Sequence, residues 1–153
     1  MNWIPWNDML ATGHAGMDAD HKNLVMLFNQ LADSVKKRSD KIVSGDLLDK
    51  IIRHTKAHFE LEERLMAEHH YPKTDQHTAD HAQLIKRAIN YKAKFDAGSP
   101  GSHIPLIHFP EDWLTLHIVG ADKELAEFLY ANGSMAKSVS VPVQGMPRRL
   151  DDR

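Results

Sequence analysis

Apolar residues recur along most of this chain at the three- and four-residue spacing of an amphipathic helix. The pattern predicts four helices, over about residues 18–37, 44–70, 74–96 and 109–132. The connections are short and contain helix breakers such as Pro72 and the loop at 98–102. No stretch alternates polar and apolar residues as a half-buried strand does. The sequence therefore predicts an all-α fold, an antiparallel up-down-up-down four-helix bundle.

Both ends of the chain lack the helical pattern. Pro5 and Gly13 disfavour a helix in residues 1–17, so we expect an irregular N-terminal arm there. Residues 134–153 contain two prolines, several serines and closing charges, and we expect them to form a flexible tail. The predicted four-helix domain, with its arm, then occupies residues 1–133.

Residues that commonly cap helices mark the expected starts of the first two. Asp18 or Asp20 can cap the first helix, because a carboxylate accepts hydrogen bonds from the free N–H groups of the first turn. Ser44 can begin the second helix in the same way.

Composition narrows the class of protein without identifying a function. The chain has 153 residues, 42 % hydrophobic and 26 % charged, which suits one globular domain. A net charge of −2 gives no electrostatic reason to expect nucleic acid as a partner. No apolar run approaches the roughly 18 residues of a membrane span, and residues 1–6 do not resemble a signal peptide. We therefore expect a soluble, cytoplasmic protein.

Histidines and acidic residues interrupt the apolar face of every predicted helix. Seven of them are candidate metal ligands: His21, His58, Glu62, His77, His81, His117 and Asp122. His58 and Glu62 are four residues apart, as are His77 and His81, so each pair lies on one helical face. An imidazole or a carboxylate inside an apolar core costs free energy unless a partner satisfies it, and a metal ion would do so.

The chemistry of these donors limits the kind of metal site. The chain has eleven histidines and no cysteine, which excludes thiolate zinc sites, iron–sulfur clusters and disulfides. Imidazole combined with carboxylate suits iron, zinc or manganese. Seven ligands are too many for one metal and fit two metals bridged by both carboxylates. The histidines then divide three against two, so one metal keeps an open position for a small ligand.

Other residues compete for places in this set. Glu63 is an alternative bridge to Glu62, although the four-residue step from His58 favours Glu62. His54 lies four residues before His58 and is a less favoured ligand. The remaining histidines fall in loops or at helix ends, where surface or capping roles are expected: His14, His69, His70, His103 and His108.

One spacing does not suit a regular α-helix. His117 and Asp122 are five residues apart, which corresponds to about 140° around the helix axis. A one-residue π-bulge would bring them onto one face, and such bulges are frequent at functional sites. We therefore predict a bulge or a distorted turn at residues 117–122, eased by Gly120.

Together these motifs resemble the hemerythrin family, specifically its single-domain bacterial members. The resemblance covers roughly residues 3–130. The segments that carry it are His21-Lys-Asn-Leu24, His58-Phe-Glu-Leu-Glu62-Glu-Arg-Leu-Met66, Tyr71-Pro72, His77-x3-His81 and Trp113-Leu-x2-His117-Ile-x3-Asp122. All seven ligand types of the family are present, in order and at the family's spacing.

The resemblance implies two iron ions per chain, bridged by an oxo or hydroxo group, that bind dioxygen reversibly. It implies that Glu62 and Asp122 bridge the irons, and that His21 and His58 belong to the iron with the open position. The three-histidine iron would be held by His77, His81 and His117. No substrate is turned over in such a protein, so we expect no catalytic residues and no enzyme activity.

Residues beside the ligands are expected to line a dry oxygen pocket. They are Leu24, Phe59, Leu114 and Ile118, each adjacent to a ligand or about one turn away. Dioxygen is the expected partner, an oxygen-using enzyme is the expected recipient, and we expect a monomer.

Other functions stay open at this point. The chain could instead be an oxygen or redox sensor that uses residues 134–153 to contact a partner. Iron, peroxide or nitric oxide handling is a further alternative. A ferritin-like site is disfavoured because no histidine has a glutamate three residues before it, and a zinc hydrolase because no His-Glu-x-x-His motif occurs.

Overall fold

The helices account for most of the structure, which is a computed structural model that describes residues 4–37, 41–101 and 112–132. The helices are α1 (Ala15–Lys36), α2 (Lys41–Glu68), α3 (Thr74–Asp96) and α4, which is π-helical over Asp112–Asp122 and α-helical over Lys123–Ala131. The described residues contain no strand. The predicted all-α four-helix bundle is confirmed. The predicted tail over 134–153 and the predicted start of the fourth helix lie outside the described residues.

Short connections place the first three helices side by side. Helix α1 packs against α2, and α2 packs against α3. Helix α4 closes the bundle through Trp113, whose ring contacts Phe28 of α1 and Phe59 of α2. No helix in the described ranges is long and apolar enough to cross a membrane.

The start of α1 differs from the prediction. The helix begins at Ala15 because the Nδ1 atom of His14 accepts a hydrogen bond from the Met17 N–H at 3.1 Å. Neither Asp18 nor Asp20 is the cap, so that prediction was wrong. Asp18 lies inside the first turn, and its carboxylate accepts hydrogen bonds from the backbone N–H groups of Thr12 and Gly13. The acid therefore holds the arm against the helix instead of beginning it.

The start of α2 also differs from the prediction. Helix α2 begins at Lys41, three residues before the expected Ser44. Ser44 is buried within the helix, and its hydroxyl hydrogen-bonds to the hydroxyl of Ser34 on α1. Ser44 therefore links two helices. This role depends on how α1 and α2 pack and could not be predicted from the local sequence.

Residues 4–14 form the expected irregular arm, which lies along α1. The side-chain amide of Asn29 donates to the Ile4 carbonyl at 2.8 Å and accepts from the Ile4 N–H at 2.9 Å. The ammonium of Lys22 lies over the ring of Trp6. Leu10 is buried in the main core, so the arm contributes to the domain's packing.

Two hydrophobic clusters fill the bundle, and in α1 and in α4 a candidate ligand lies between a member of one cluster and a member of the other. The larger cluster includes Leu24, Phe28, Phe59, Leu84, Trp113 and Ile118. The smaller cluster consists of Met17, Met66, Tyr71, Leu125 and Leu129, with two partly buried neighbours. In α1, for example, His21 lies between Met17 of the smaller cluster and Leu24 of the larger one. A layer of polar side chains therefore separates the two clusters.

Candidate metal centre

The structure brings all seven candidate ligands together in the bundle core. Each of them is at most 5 % exposed. Their donor atoms form two groups in which all atoms lie within 4.8 Å of one another. The five-donor group contains Glu62, His77, His81, His117 and Asp122, and the four-donor group contains His21, His58, Glu62 and Asp122. The two carboxylates are common to both groups.

Glu62 directs one oxygen to each group. Its Oε2 atom lies 3.1 Å from His77 Nε2 and 2.9 Å from His81 Nε2. Its Oε1 atom lies 2.9 Å from His58 Nε2. A carboxylate divided in this way is suited to bridge two metal ions.

Asp122 divides its oxygens in the same manner. Its Oδ1 atom lies 3.1 Å from His77 Nε2 and 3.0 Å from His117 Nε2. Its Oδ2 atom lies 2.9 Å from His21 Nε2. The second carboxylate therefore joins the same two groups from the opposite helix.

The spacing of the donors fits metal coordination. A metal–nitrogen distance of about 2.1 Å places two ligands at a right angle about 3.0 Å apart. The Nε2 atoms of His21 and His58 are 2.9 Å apart, and the carboxylate contacts above are of the same length. Imidazole with carboxylate and no sulfur is a donor set that suits iron.

Buried donor atoms without hydrogen bonds support the same conclusion. In the described part of the chain, Glu62 Oε1, Asp122 Oδ2 and His117 Nε2 are buried and have no hydrogen-bond partner. They approach neighbouring donor atoms closely but without hydrogen-bond geometry. Leaving such atoms unsatisfied is costly, and a metal ion would satisfy them. The residues present therefore fit metal ions in both groups.

Protons on His58 and His77 balance the charges of the two central carboxylates. Burial lowers the pKa of His58, but the carboxylates of Glu62, Asp122 and Asp20 together outweigh it, and the pKa is raised to about 11. Burial also lowers the pKa of His77, but Asp122 and Glu62 raise it to about 9.

The two carboxylates titrate in the opposite direction. Burial and the facing Asp122 raise the pKa of Glu62, but His58 and His77 outweigh both and hold it well below its usual range. Burial raises the pKa of Asp122, but His117 and His21 outweigh burial and hold this pKa well below its usual range. Both acids are therefore anionic. Metal ions could replace the protons of the neighbouring imidazoles as the positive charges that these carboxylates face.

Two further carboxylates hold ligand histidines from behind. Asp20 Oδ2 lies 3.1 Å from His58 Nδ1, and Glu63 Oε1 lies 3.0 Å from His81 Nδ1. An acceptor at Nδ1 keeps the proton there and leaves the Nε2 lone pair facing the site. The sequence pattern did not predict this role for either acid. The available signal was their adjacency to ligands, since Asp20 precedes His21 and Glu63 follows Glu62.

The competing residues lie outside both donor groups. Glu63 contacts the far side of His81, as described above, and Glu62 occupies the centre. His54 is exposed, and its Nδ1 atom lies 3.2 Å from the side-chain amide of Asn23. Among the other histidines, the capping role of His14 is confirmed, and His69 and His70 follow the end of α2. The predictions for His103 and His108 fall outside the described residues.

The predicted distortion in the fourth helix is confirmed and is longer than expected. The helix is π-helical from Asp112 to Asp122, so that residues five apart share a face. This geometry lets His117 and Asp122 reach the same group of donors. Gly120 is exposed, and a Cβ atom added there would meet nothing within 4 Å.

The candidate pocket residues are mostly in the larger cluster. Leu24 and Ile118 are fully buried, and Phe59 is 3 % exposed. The ring of Phe59 stacks on His81, with ring centres 3.7 Å apart. The side chain of Leu114 lies outside the described part of the chain.

Trp113 is a pocket residue that the sequence pattern did not predict. Its ring centre lies 6.0 Å from that of His21 and 6.1 Å from that of His58. The ring is fully buried and therefore forms one wall of the four-donor group. The signal that could have identified it is its position four residues before His117.

A four-helix bundle whose core holds these two donor groups belongs to the metal-binding class of helical bundles. The family model described as the hemerythrin HHE cation binding domain matches residues 12–129. The chain belongs to the hemerythrin family. It is accordingly a non-haem iron-binding domain.

Named relatives extend over most of the chain. It is 30 % identical over 132 residues to the bacteriohemerythrin of Stenotrophomonas maltophilia (strain R551-3), and the matched region covers 86 % of this chain and 85 % of the relative. It is 26 % identical over 117 residues to the myohemerythrin of Riftia pachyptila, which covers 76 % of this chain and 86 % of that protein. It is 27 % identical over 128 residues to the bacteriohemerythrin of Aquifex aeolicus (strain VF5), with 80 % and 95 % covered.

Proposed function

We propose that this protein binds dioxygen reversibly at a di-iron centre and serves to carry, store or deliver it. The observation that carries the proposal is the unequal division of the histidines between the two donor groups. The five-donor group has three histidines and the four-donor group has two, while both share Glu62 and Asp122. An iron held by the smaller set has room for one more small ligand.

The proposed ligand assignment follows the two donor groups. His77, His81 and His117 would hold one iron, and His21 and His58 would hold the other. When bound, the two irons would supply the electrons that dioxygen accepts. The chain's own residues orient the ligands, because Asp20 and Glu63 keep protons on the outer nitrogens of His58 and His81.

A carrier is favoured over an enzyme by the side chains around the four-donor group. The described rings in contact with His58, other than His21, are those of Phe59 and Trp113. These aromatic side chains exclude water and offer no acid or base for turnover. The proposal is therefore reversible binding without chemical conversion of a second substrate.

Two variants of α2 provide the sharpest test of the centre. His58→Ala removes a proposed ligand, whereas His54→Ala removes an exposed histidine one turn earlier on the same helix. We expect two irons per chain in the wild type and in His54→Ala, and loss of iron from His58→Ala. Iron content would be measured by elemental analysis after reconstitution. Equal iron content in both variants would contradict the assignment.

Spectroscopy tests the reversible binding itself. The iron-loaded protein would be reduced without oxygen, exposed to air and then degassed, with absorption spectra recorded at each step. We expect new absorption bands on exposure to air that disappear on degassing over several cycles. Immediate and irreversible oxidation would instead favour a role in iron or redox handling.

The proposal includes a monomer that acts in the cytoplasm and passes oxygen to an oxygen-using enzyme. Support for the monomer is that all seven donors come from one chain, so the centre is complete without a second copy. Sedimentation of the iron-loaded protein at micromolar concentration tests the monomer. Cell fractionation followed by affinity capture tests the location and the recipient.

A further inference from the structure

Two buried polar atoms beside the centre are not explained by metal binding. In the described part of the chain, six buried side-chain nitrogen or oxygen atoms lack a hydrogen-bond partner. Four of them belong to proposed ligands. The other two are the hydroxyl oxygen of Thr55 and the indole nitrogen of Trp113. Thr55 is 2 % exposed and Trp113 is fully buried, so bulk water does not satisfy either group.

Both groups normally find partners inside a protein. A helical threonine can place its hydroxyl against the carbonyl of a preceding turn. A buried tryptophan usually donates its N–H to an acceptor. Neither bond is made here, although Trp113 belongs to the larger hydrophobic cluster and Thr55 lies on α2 between two of its members, Ile52 and Phe59. Two such exceptions in one region of the core indicate a missing partner.

Phe59 brings the two groups into the same layer of the bundle. Thr55 lies one helical turn before Phe59 on α2. The ring of Trp113 stacks on that of Phe59, with centres 5.7 Å apart and planes 9° apart. The same indole forms a wall of the four-donor group through His21 and His58. Thr55 also lies three residues before His58 on the same face of α2, so both groups adjoin the side of the centre that has fewer histidines.

We propose that Thr55 and Trp113 form a polar subsite that binds the outer atom of a small anion held at the four-donor group. This inference rests on the proposed function, because it requires iron in that group. The indole N–H only donates, and the hydroxyl can donate as well, so the subsite suits a hydrogen-bond acceptor. Hydrogen bonds to a charged acceptor are stronger than those to a neutral one, which favours anions over neutral ligands.

Azide is a suitable probe, and Thr55 offers a matched pair of variants. Thr55→Val removes the hydroxyl and keeps the shape, whereas Thr55→Ser keeps the hydroxyl and removes a methyl group. Azide would be titrated into the oxidised, iron-loaded protein and followed by absorption. We expect about tenfold weaker binding in Thr55→Val, and binding within about twofold of the wild type in Thr55→Ser. Trp113→Phe, which keeps a ring against Phe59 but loses the N–H, should weaken azide binding to a similar extent.

Stability of the metal-free chain separates this role from a merely structural one. Thr55→Val removes a buried hydroxyl that has no partner, so the variant should unfold at the same temperature as the wild type or higher. Thr55→Ser loses a buried methyl group and should unfold at a lower temperature. A crystal structure of the azide complex should place an azide nitrogen within hydrogen-bond distance of Thr55 Oγ1 or Trp113 Nε1.

The outcomes distinguish failure of this inference from failure of the proposed function. Equal azide affinity in the wild type and in Thr55→Val, with reversible oxygen binding intact, would overturn the subsite alone. A wild-type protein that holds no iron would overturn the proposed function and the subsite together.

Discussion

At the scale of single residues, two carboxylates fix ligand histidines in one orientation. Asp20 and Glu63 act on His58 and His81 from outside the donor groups. His14 is held differently, since its own Nδ1 atom is the acceptor for a backbone N–H. In each case the position of one imidazole proton determines what the other nitrogen can do.

Removing the carboxylate behind His58 should weaken iron binding. Asp20→Ala leaves His58 Nδ1 without its acceptor, so the ring is less well oriented and less basic. We expect iron affinity to fall about 10- to 100-fold, as measured by competition with a chelator. Asp33→Ala is the control, because Asp33 is an α1 carboxylate that pairs with Lys37 away from the centre. Equal affinities in the two variants would show that Asp20 does not support the ligand.

The cap at His14 should make stability depend on pH. Burial lowers the pKa of His14 from its ordinary value of 6.5, so the unfolded chain binds this proton more readily than the folded chain. The stabilisation is therefore fully present above pH 6.5 and is lost as the pH falls through the lower, folded-state pKa.

A serine cap provides the comparison for this effect. His14→Ser retains a capping side chain but does not titrate in this range, and His14→Ala removes the cap. Denaturant unfolding at pH 8 should show a loss of about 1 kcal/mol in His14→Ala. Between pH 8 and pH 5.5, the wild type should lose stability relative to His14→Ser. A difference that does not change with pH would exclude the titration of His14 as its cause.

At the scale of helices, the bundle could be predicted from the sequence more accurately than the ends of the helices. Periodicity predicted four helices because an apolar face persists over many residues, and a shift of one residue does not erase it. The ends depend on single contacts. Asp18 has the chemistry of a cap, but the arm curves back so that its carboxylate meets Thr12 and Gly13.

The candidate site shows the same contrast. The seven ligand positions could be predicted because four-residue spacing and apolar surroundings are local properties, and the structure brings these residues together. The five-residue step between His117 and Asp122 even predicted the π-helical distortion. The contributions of Asp20, Glu63 and Trp113 could not be predicted in this way. Each depends on which side of a neighbouring helix the residue meets after packing.

The π-helical segment should not require a glycine at position 120. Gly120 is exposed and has open space around its Cβ position, so Gly120→Ala should keep its iron. Since alanine is favoured over glycine in helices, stability should rise by up to about 1 kcal/mol. Thermal unfolding and iron content would be measured together. Loss of iron in this variant would show that the distortion needs the flexibility of glycine.

Gly13→Ala is the contrasting variant. Gly13 has a φ of +89°, and an added Cβ would collide with the hydroxyl of Tyr130, which donates to the Gly13 carbonyl. We expect this variant to lose more than about 1 kcal/mol of stability, because both the backbone and the contact resist the change.

At the scale of the whole molecule, the two hydrophobic clusters are separated by a layer of candidate ligands, so the stability of the domain depends on whether that layer is satisfied. The smaller cluster has only five buried members, and along α1 and α4 a candidate ligand lies between it and the main core. Without a metal ion, the layer between them contains buried atoms that lack hydrogen bonds. The metal-free domain should therefore be less stable, with the largest loss of stability around the smaller cluster.

Removal of iron tests this expectation directly. A ligand that binds only the folded state at a hundredfold excess over its Kd stabilises it by about 3 kcal/mol. We expect at least that loss of unfolding free energy in denaturant titrations after treatment with a chelator. Hydrogen exchange should then increase more around Met66 and Leu125 than around Phe28 and Leu48. Uniform acceleration would indicate that the two clusters unfold as one unit.

The sharing of both carboxylates between the donor groups also has a consequence for biosynthesis. Of the seven donors, His117 and Asp122 come last in sequence order. A nascent chain that has released only α1 to α3 can offer neither group completely, because Asp122 belongs to both. Iron captured at that stage would be held by an incomplete set and would exchange readily. Stable loading thus follows translation, once α4 has folded against the other helices.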